Sequence, residues 1–206
     1  MANLPRTPEP PAIDWTPPPP RPGLIGQWDS FIGPGATPAE LTLIILAALA
    51  GGLLVPLYAL GQQLGWTPWQ LAVGALLGAD LAGGVATNAT TAAQRWYHRP
   101  GQGLRAHLSF TAVHFIHPLL VAWLFRAGDW VYFAAAYGYL LGASLLLLAL
   151  PLYLQRSASL LLYLGGLLMS LYLVPATPGL EWFLPVFYLK LLVSHLVREA
   201  PFRPGA

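Results

Sequence analysis

The sequence predicts an all-α fold: a polytopic integral membrane helical bundle with six transmembrane helices and a Pro-rich N-terminal tail. Three observations carry that prediction. Of the 206 residues, 56% are hydrophobic and only 9% charged, against about 25% charged in a soluble domain, so a water-facing surface could not be covered. From residue 38 onward, six apolar stretches are long enough to cross a bilayer, which takes about 20 residues. Eleven of the 21 prolines fall within residues 1–38, including Pro17-Pro18-Pro19-Pro20, a composition that forms extended polyproline II rather than helix or sheet. The chain has no cysteine, which excludes a disulfide scaffold, a thiolate metal site and a Cys nucleophile. A net charge of +2 is too small to attract nucleic acid.

Taken in order, residues 1–38 form the tail, with no basic start and apolar core of the kind a signal peptide needs. Within it Leu24, Ile25, Trp28, Phe31 and Ile32 share one helical face, so 23–33 reads as a short interfacial segment, lying on the membrane or docking on the bundle. The transmembrane domain, 39–198, contains spans at roughly 39–61, 68–92, 106–126, 130–154, 157–174 and 179–198, and a short tail, 199–206, ends the chain. Only Gln155-Arg156 separates the fourth and fifth spans. Thr37-Pro38-Ala39-Glu40 and Thr67-Pro68-Trp69-Gln70 read as capping boxes with proline at the first helical position, and Thr177-Pro178 repeats the first half of that signal.

Six spans put both termini on one side. Eight arginines (Arg6, Arg21, Arg95, Arg99, Arg105, Arg156, Arg198 and Arg203) fall on that side, and Arg126 alone on the other. The positive-inside rule makes the terminal side cytoplasmic and the membrane a bacterial-type inner (plasma) membrane. Trp66, Trp69, Trp123, Trp130 and Trp182 all fall at outer span ends, as an interfacial belt does. Arg95, Arg99 and Arg105 are placed for lipid head-group contact.

The second span carries a polar stripe. Asp80, Gly83, Gly84, Thr87, Asn88, Thr91, Gln94, Arg95 and His98 share one face of a helix that no proline interrupts before Pro100, so one helix is expected to run past the membrane edge. Such a face cannot meet lipid with its polar groups unpaired. Glycine and threonine explain themselves as helix packing; Asp80 does not, because a mid-span carboxylate costs about 2.5–3.5 kcal/mol. At matching depth lie His114 and His117 on the third span and Lys190 on the sixth. These residues, with Asn88, form the candidate substrate- or ion-binding site. Asp80 is its proton or cation acceptor and Lys190 the counter-ion. His107, Thr87, Thr91 and His195 are candidate relay groups.

Three functions fit this pattern. Transport or binding of a small solute, ion or proton leads, because buried Asp, Lys and His make a chain of titratable groups. A metal or haem redox site built on His114, His117 and Asp80 is the second. The third is a non-catalytic subunit of a larger membrane complex, docked through the tail. The balance leans away from an enzyme: Ser194 adjoins His195 but neighbouring helical residues point apart. No cofactor is required by the sequence. The expected partners are the lipid bilayer and a homo-oligomer or membrane-complex partner, with no nucleic acid.

Overall fold

A computed structural model describes residues 13–202, and every regular element among them is a helix. An extended segment leads into α1 (Gly23–Ile32), followed by α2 (Pro38–Gly61), α3 (Pro68–Ala89) and the short α4 (Thr91–Tyr97). The next stretch, Leu104–Phe125, is made of α5 (Leu104–Val113), α6 (Ile116–Leu120) and a π-helical turn at Val121–Phe125. Then come α7 (Trp130–Ala149), α8 (Leu152–Tyr172) and α9 (Phe183–Tyr188), which runs on into a π-helical segment, Leu189–His195. Five of these stretches are long and apolar enough to cross a membrane: α2, α3, Leu104–Phe125, α7 and α8.

The starts of α2 and α3 follow the sequence. Thr37 and Thr67 each cap a helix, receiving the backbone N–H of Glu40 and Gln70, whose side chains reach back to the cap N–H. The two helices pack through glycines: a Cβ on Gly83 would meet Ala48 at 3.0 Å, and a Cβ on Gly78 would strike the Gly51 carbonyl. Close backbone approach of this kind is the packing currency of apolar helices.

Three expectations change. The second helix is not continuous. Thr90 turns to extended backbone (φ −72°, ψ 152°) and caps α4, its hydroxyl receiving Ala93 N–H and donating to Thr87 O at 2.8 Å. A threonine hydroxyl that satisfies two backbone groups offers the chain an alternative to the helix ladder. The fourth turn falls at Leu150-Pro151, not Gln155-Arg156, which lie inside α8. Pro151 lacks the N–H that α7 needs to continue, and it disfavours helical backbone at Leu150. The sixth apolar element is shorter than expected. Thr177 caps no long helix but accepts Arg126 Nη1 at 2.9 Å, and Gly179 (φ +83°) turns the chain before Phe183. Six α-helical plus seven π-helical residues remain, roughly 20 Å at about 1.5 Å per residue against a hydrocarbon core of about 30 Å.

That short element is the centre of the bundle. Phe183, Phe187, Tyr188, Leu191 and Leu192 are all fully buried. Being wrapped by other helices, it has no need to satisfy lipid along its whole length. By contrast α2 and α8 present most of their surface outward, with Leu43, Leu46, Leu54, Leu161 and Leu171 exposed.

Residues 13–37 lie across one end. Trp15 stacks under the Arg198 guanidinium at 3.9 Å, Tyr97 donates to Phe31 O at 2.8 Å, and Gly33 sits against the Ala92–Ala93 backbone so closely that a Cβ would overlap it. Arg21 grips Asp29 with its backbone N, Nε and Nη2; the side-chain hydrogen bonds, then the backbone one, hold that carboxyl down at about 2. Leu24, Ile25, Trp28 and Phe31 of α1 face outward. Glu40 fastens this strap to the bundle, accepting Thr37 N–H and hydroxyl on one oxygen and Thr91 hydroxyl and Ala92 N–H on the other.

Replacing Glu40 with Ala removes four hydrogen bonds that join the strap, α2 and α4. Thermal unfolding in detergent should show a loss of about 2–4 kcal/mol, against about 1 kcal/mol for Thr37→Ala. Protease cleavage within 13–37 should quicken only in the first variant.

Candidate functional site

Asp80 projects from the middle of α3 and meets two partners from two other elements. Its Oδ2 accepts Lys190 Nζ at 2.6 Å and faces His117 Nε2 at 2.7 Å. Lys190 is enclosed (side chain 5% exposed), His117 nearly so (12%), and Asp80 retains 38% exposure. Depth-matched residues on separate helices therefore meet.

Local sequence explains each position. Lys190 needs room beside α3, and Gly84 provides it: a Cβ there would fall within 2.8 Å of both Lys190 Cδ and Nζ. Asn88, one turn on, donates from Nδ2 to Lys190 O at 3.3 Å. It thus sets the register between α3 and the π-helical segment rather than touching Asp80. Gln94 does the same for the next turn, donating to Asn88 O and to Ser194 O. His117 is placed by Pro118. A proline leaves the carbonyl four residues earlier, His114 O, without its helical donor; His117 N–H bonds to it at 3.1 Å, and His117 Nδ1 lies at 3.2 Å from it. Both ring nitrogens of His117 thus face oxygens, a carbonyl and a carboxylate. Both contacts are hydrogen bonds only when the ring carries two N–H groups.

From His117 a row of rings leads to the strapped end of the bundle. His114 stacks on His117 with centroids 5.1 Å apart, and Phe110 lies 4.7 Å from His114 and 3.8 Å from His195, stacked on the latter. His195 Nε2 lies 3.5 Å from His107 Nδ1, and His107 stands 4.8 Å from His98, whose Nε2 bonds His195 O at 3.0 Å. All five histidines of the chain are in this row. The π-helical winding helps to form it. In an α-helix, residues five apart diverge by about 140°, whereas an i→i+5 turn, seen as Leu196 N–H to Leu191 O at 3.1 Å, brings His195 round beneath Lys190. His195 Nδ1 is buried without a partner among the described residues, so the least costly tautomer places the proton on Nε2, toward His107.

Other candidates are not brought in. Thr87 gives its hydroxyl to Gly83 O, and Thr91 gives its own to Glu40; neither joins the row. Arg95 does not reach head groups. It is 3% exposed beneath the strap, with Nη1 on Thr16 O at 3.3 Å and Nε and Nη2 unpartnered among the described residues. The broken helix rotates it inward. Arg99 folds over the Trp96 ring at 3.6 Å, and Arg105 is exposed. For a metal, no group of three or more His, Asp or Glu side chains among the described residues is arranged to hold one. His114 turns Nδ1 to Phe110 O at 2.6 Å, and the His117 nitrogen a haem iron would need is held by Asp80. The sequence places His98 on the polar stripe but not in the site, and does not single out Phe110. Phe110 is visible in principle, lying between His107 and His114 on one helical face; the place of His98 beside His107 is hidden by the break at Thr90.

Apolar helices around an inward polar row define the class: a helical, membrane-embedded protein. No protein-family model matches the chain, and no curated protein or solved structure matches it.

A double-mutant cycle separates the Asp80–Lys190 pair from its surroundings. Lys190→Met leaves the Asp80 carboxylate with His117 alone and should destabilise by about 1–3 kcal/mol, less than for a fully buried pair because Asp80 is partly exposed. Lys190→Met with Asp80→Asn should recover most of that loss in thermal unfolding.

Burial, then the neighbouring His107, then Arg198 push His98 down to about 4, outweighing its bond to His195 O. Unfolded, it titrates near about 6.5. Between these values the unfolded chain binds a proton that the folded chain does not, so stability is complete above pH ~6.5 and falls as pH drops toward ~4. His98→Gln keeps a donor to His195 O, and its unfolding temperature should fall less steeply over that window.

Proposed function

We propose that the protein moves or exchanges protons coupled to a small solute or ion across a membrane, with Asp80 as the proton or cation acceptor and Lys190 as its counter-ion. One observation carries this reading: every histidine in the chain stands in a single row that ends on the Asp80–Lys190 pair. A purely structural ion pair needs no such row. Imidazoles change charge near neutral pH and pass protons between two nitrogens, and intramembrane ionisable residues that face the bundle interior mark ion or proton paths.

The wider setting belongs to the same proposal. Phe183–His195 serves as a sixth, central crossing. Both termini are cytoplasmic in an inner (plasma) membrane of bacterial type, on the eight-to-one arginine distribution. The strap covers the cytoplasmic end of the row, and its apolar α1 face lies in the interface. Arg99 and Arg105 face lipid head groups there. Association with a second copy or a larger membrane complex is compatible with the exposed outer helices.

Purified protein in liposomes loaded with a pH-sensitive dye tests this. Under an imposed potential, wild type should acidify the lumen, and Asp80→Asn and His195→Phe should each slow the flux about tenfold or more, with wild-type-like helical circular dichroism at the assay temperature; Asp80→Asn should unfold at a lower temperature because Lys190 loses its counter-ion. Equal flux in wild type and Asp80→Asn would end the proton reading.

A further inference from the structure

α3 packs along α2 on one side and along the π-helical segment on another. Toward the stretch Leu104–Phe125 it is different. The two are bridged by side chains: Gln70 Nε2 to Leu124 O at 2.8 Å near one end, and Asp80 to His117 in the middle. Beyond the helix break the bridging passes to Tyr97 on Phe110 and His98 on His107. A seam runs between them, and Asp80 stands in it. Both donors converge on Asp80 Oδ2; Oδ1 accepts none among the described residues, although the side chain is 38% exposed. Leu76, one turn away on the same face, is exposed as well.

A carboxylate oxygen open to an apolar seam at mid-bilayer calls for a positive or proton-donating partner. The chemistry selects which. A small hard cation needs several oxygen ligands to replace its water, and no three-residue ligand group is arranged here. A large organic cation carries little hydration and dissolves in the hydrocarbon, so the one open oxygen of Asp80 serves it where a hard ion would need a full set of ligands. Lys190, the present counter-ion, is monovalent and touches the same carboxylate, so an arriving cation competes with it.

We propose that a lipophilic organic cation enters through this seam and replaces Lys190 as the counter-ion of Asp80, with release of one proton. The inference rests on the proton-exchange reading above and names its substrate class. On displacement an N–H bond of the Lys190 ammonium breaks, the electron pair stays on Nζ, and the proton passes to the imidazole row and on to water at the strapped end. One positive charge arrives and one leaves. The groups facing the exchange are Lys190 from the π-helical segment and His117 and His114 from the third helical stretch.

Tetraphenylphosphonium is the probe, measured by equilibrium dialysis against purified full-length protein in detergent, with proton release followed in weak buffer by an indicator dye. Wild type should bind it saturably and release about one proton per cation. Asp80→Asn should lose binding, and Asp80→Glu should keep it, which guards against a folding defect. Lys190→Met should bind about tenfold more tightly or better, because the competitor is gone, and release no proton from that site. Wild type that binds no more probe than Asp80→Asn, or Lys190→Met that binds more weakly than wild type, overturns the proposal. If that occurs while Asp80-dependent proton flux persists in liposomes, only the substrate class falls; if the flux is absent too, the proton reading falls with it.

Discussion

The ion pair between Asp80 and Lys190 is the constraint to which the rest of the bundle conforms. Neither charge tolerates hydrocarbon alone, so α3 and the π-helical segment must be neighbours. Their separation is set by Gly84, where any side chain would collide with the lysine stem. Their register is set by Asn88 on Lys190 O and Gln94 on Ser194 O. With that pairing fixed, His117 arrives from the third stretch because Pro118 bends the chain there and frees a carbonyl for its ring. Tyr188, two residues before the lysine at the end of α9, then ties that helix to α7 through its hydroxyl on Ala136 O. A pair that contributes little net stability thus specifies which helices touch.

The polar residues that do not meet Asp80 have a different task, which is to hold the strapped end together. Glu40 caps two helices at once, Thr90 ends one helix and starts another, and Thr91 completes the clamp. A stripe that looks uniform on a helical wheel therefore divides at residue 90 into an upper half around the ion pair and a lower half around the strap. Arg95 belongs to the lower half, enclosed beneath Thr16.

Much of this was legible in the residues themselves. The apolar stretches, the capping boxes at Thr37 and Thr67, and the shared depth of Asp80, His117 and Lys190 follow from hydropathy, turn chemistry and counting along helices. What stayed hidden depends on competition between nearly equal local choices. Thr90 serves as well inside a helix as at its cap, and only Glu40, fifty residues earlier, tips it toward the cap. Pro151 could begin one helix or kink another. The π-helical winding that brings His195 under Lys190 has no periodicity to betray it in a seven-residue segment. Arg95 read as a head-group residue because its phase was projected along a helix that does not continue.

The shortness of the central helix has an electrical consequence. Its thirteen residues fall short of a hydrocarbon core of about 30 Å. On the proposed six-crossing reading, the membrane voltage beside Lys190 drops over a shorter path than along the outer helices. Moving one charge through the full drop is worth about 2.3 kcal/mol per 100 mV. Under the proposed proton exchange, a proton leaving Lys190 crosses only a fraction of that drop, so occupancy of the site is expected to respond to membrane potential as well as to pH.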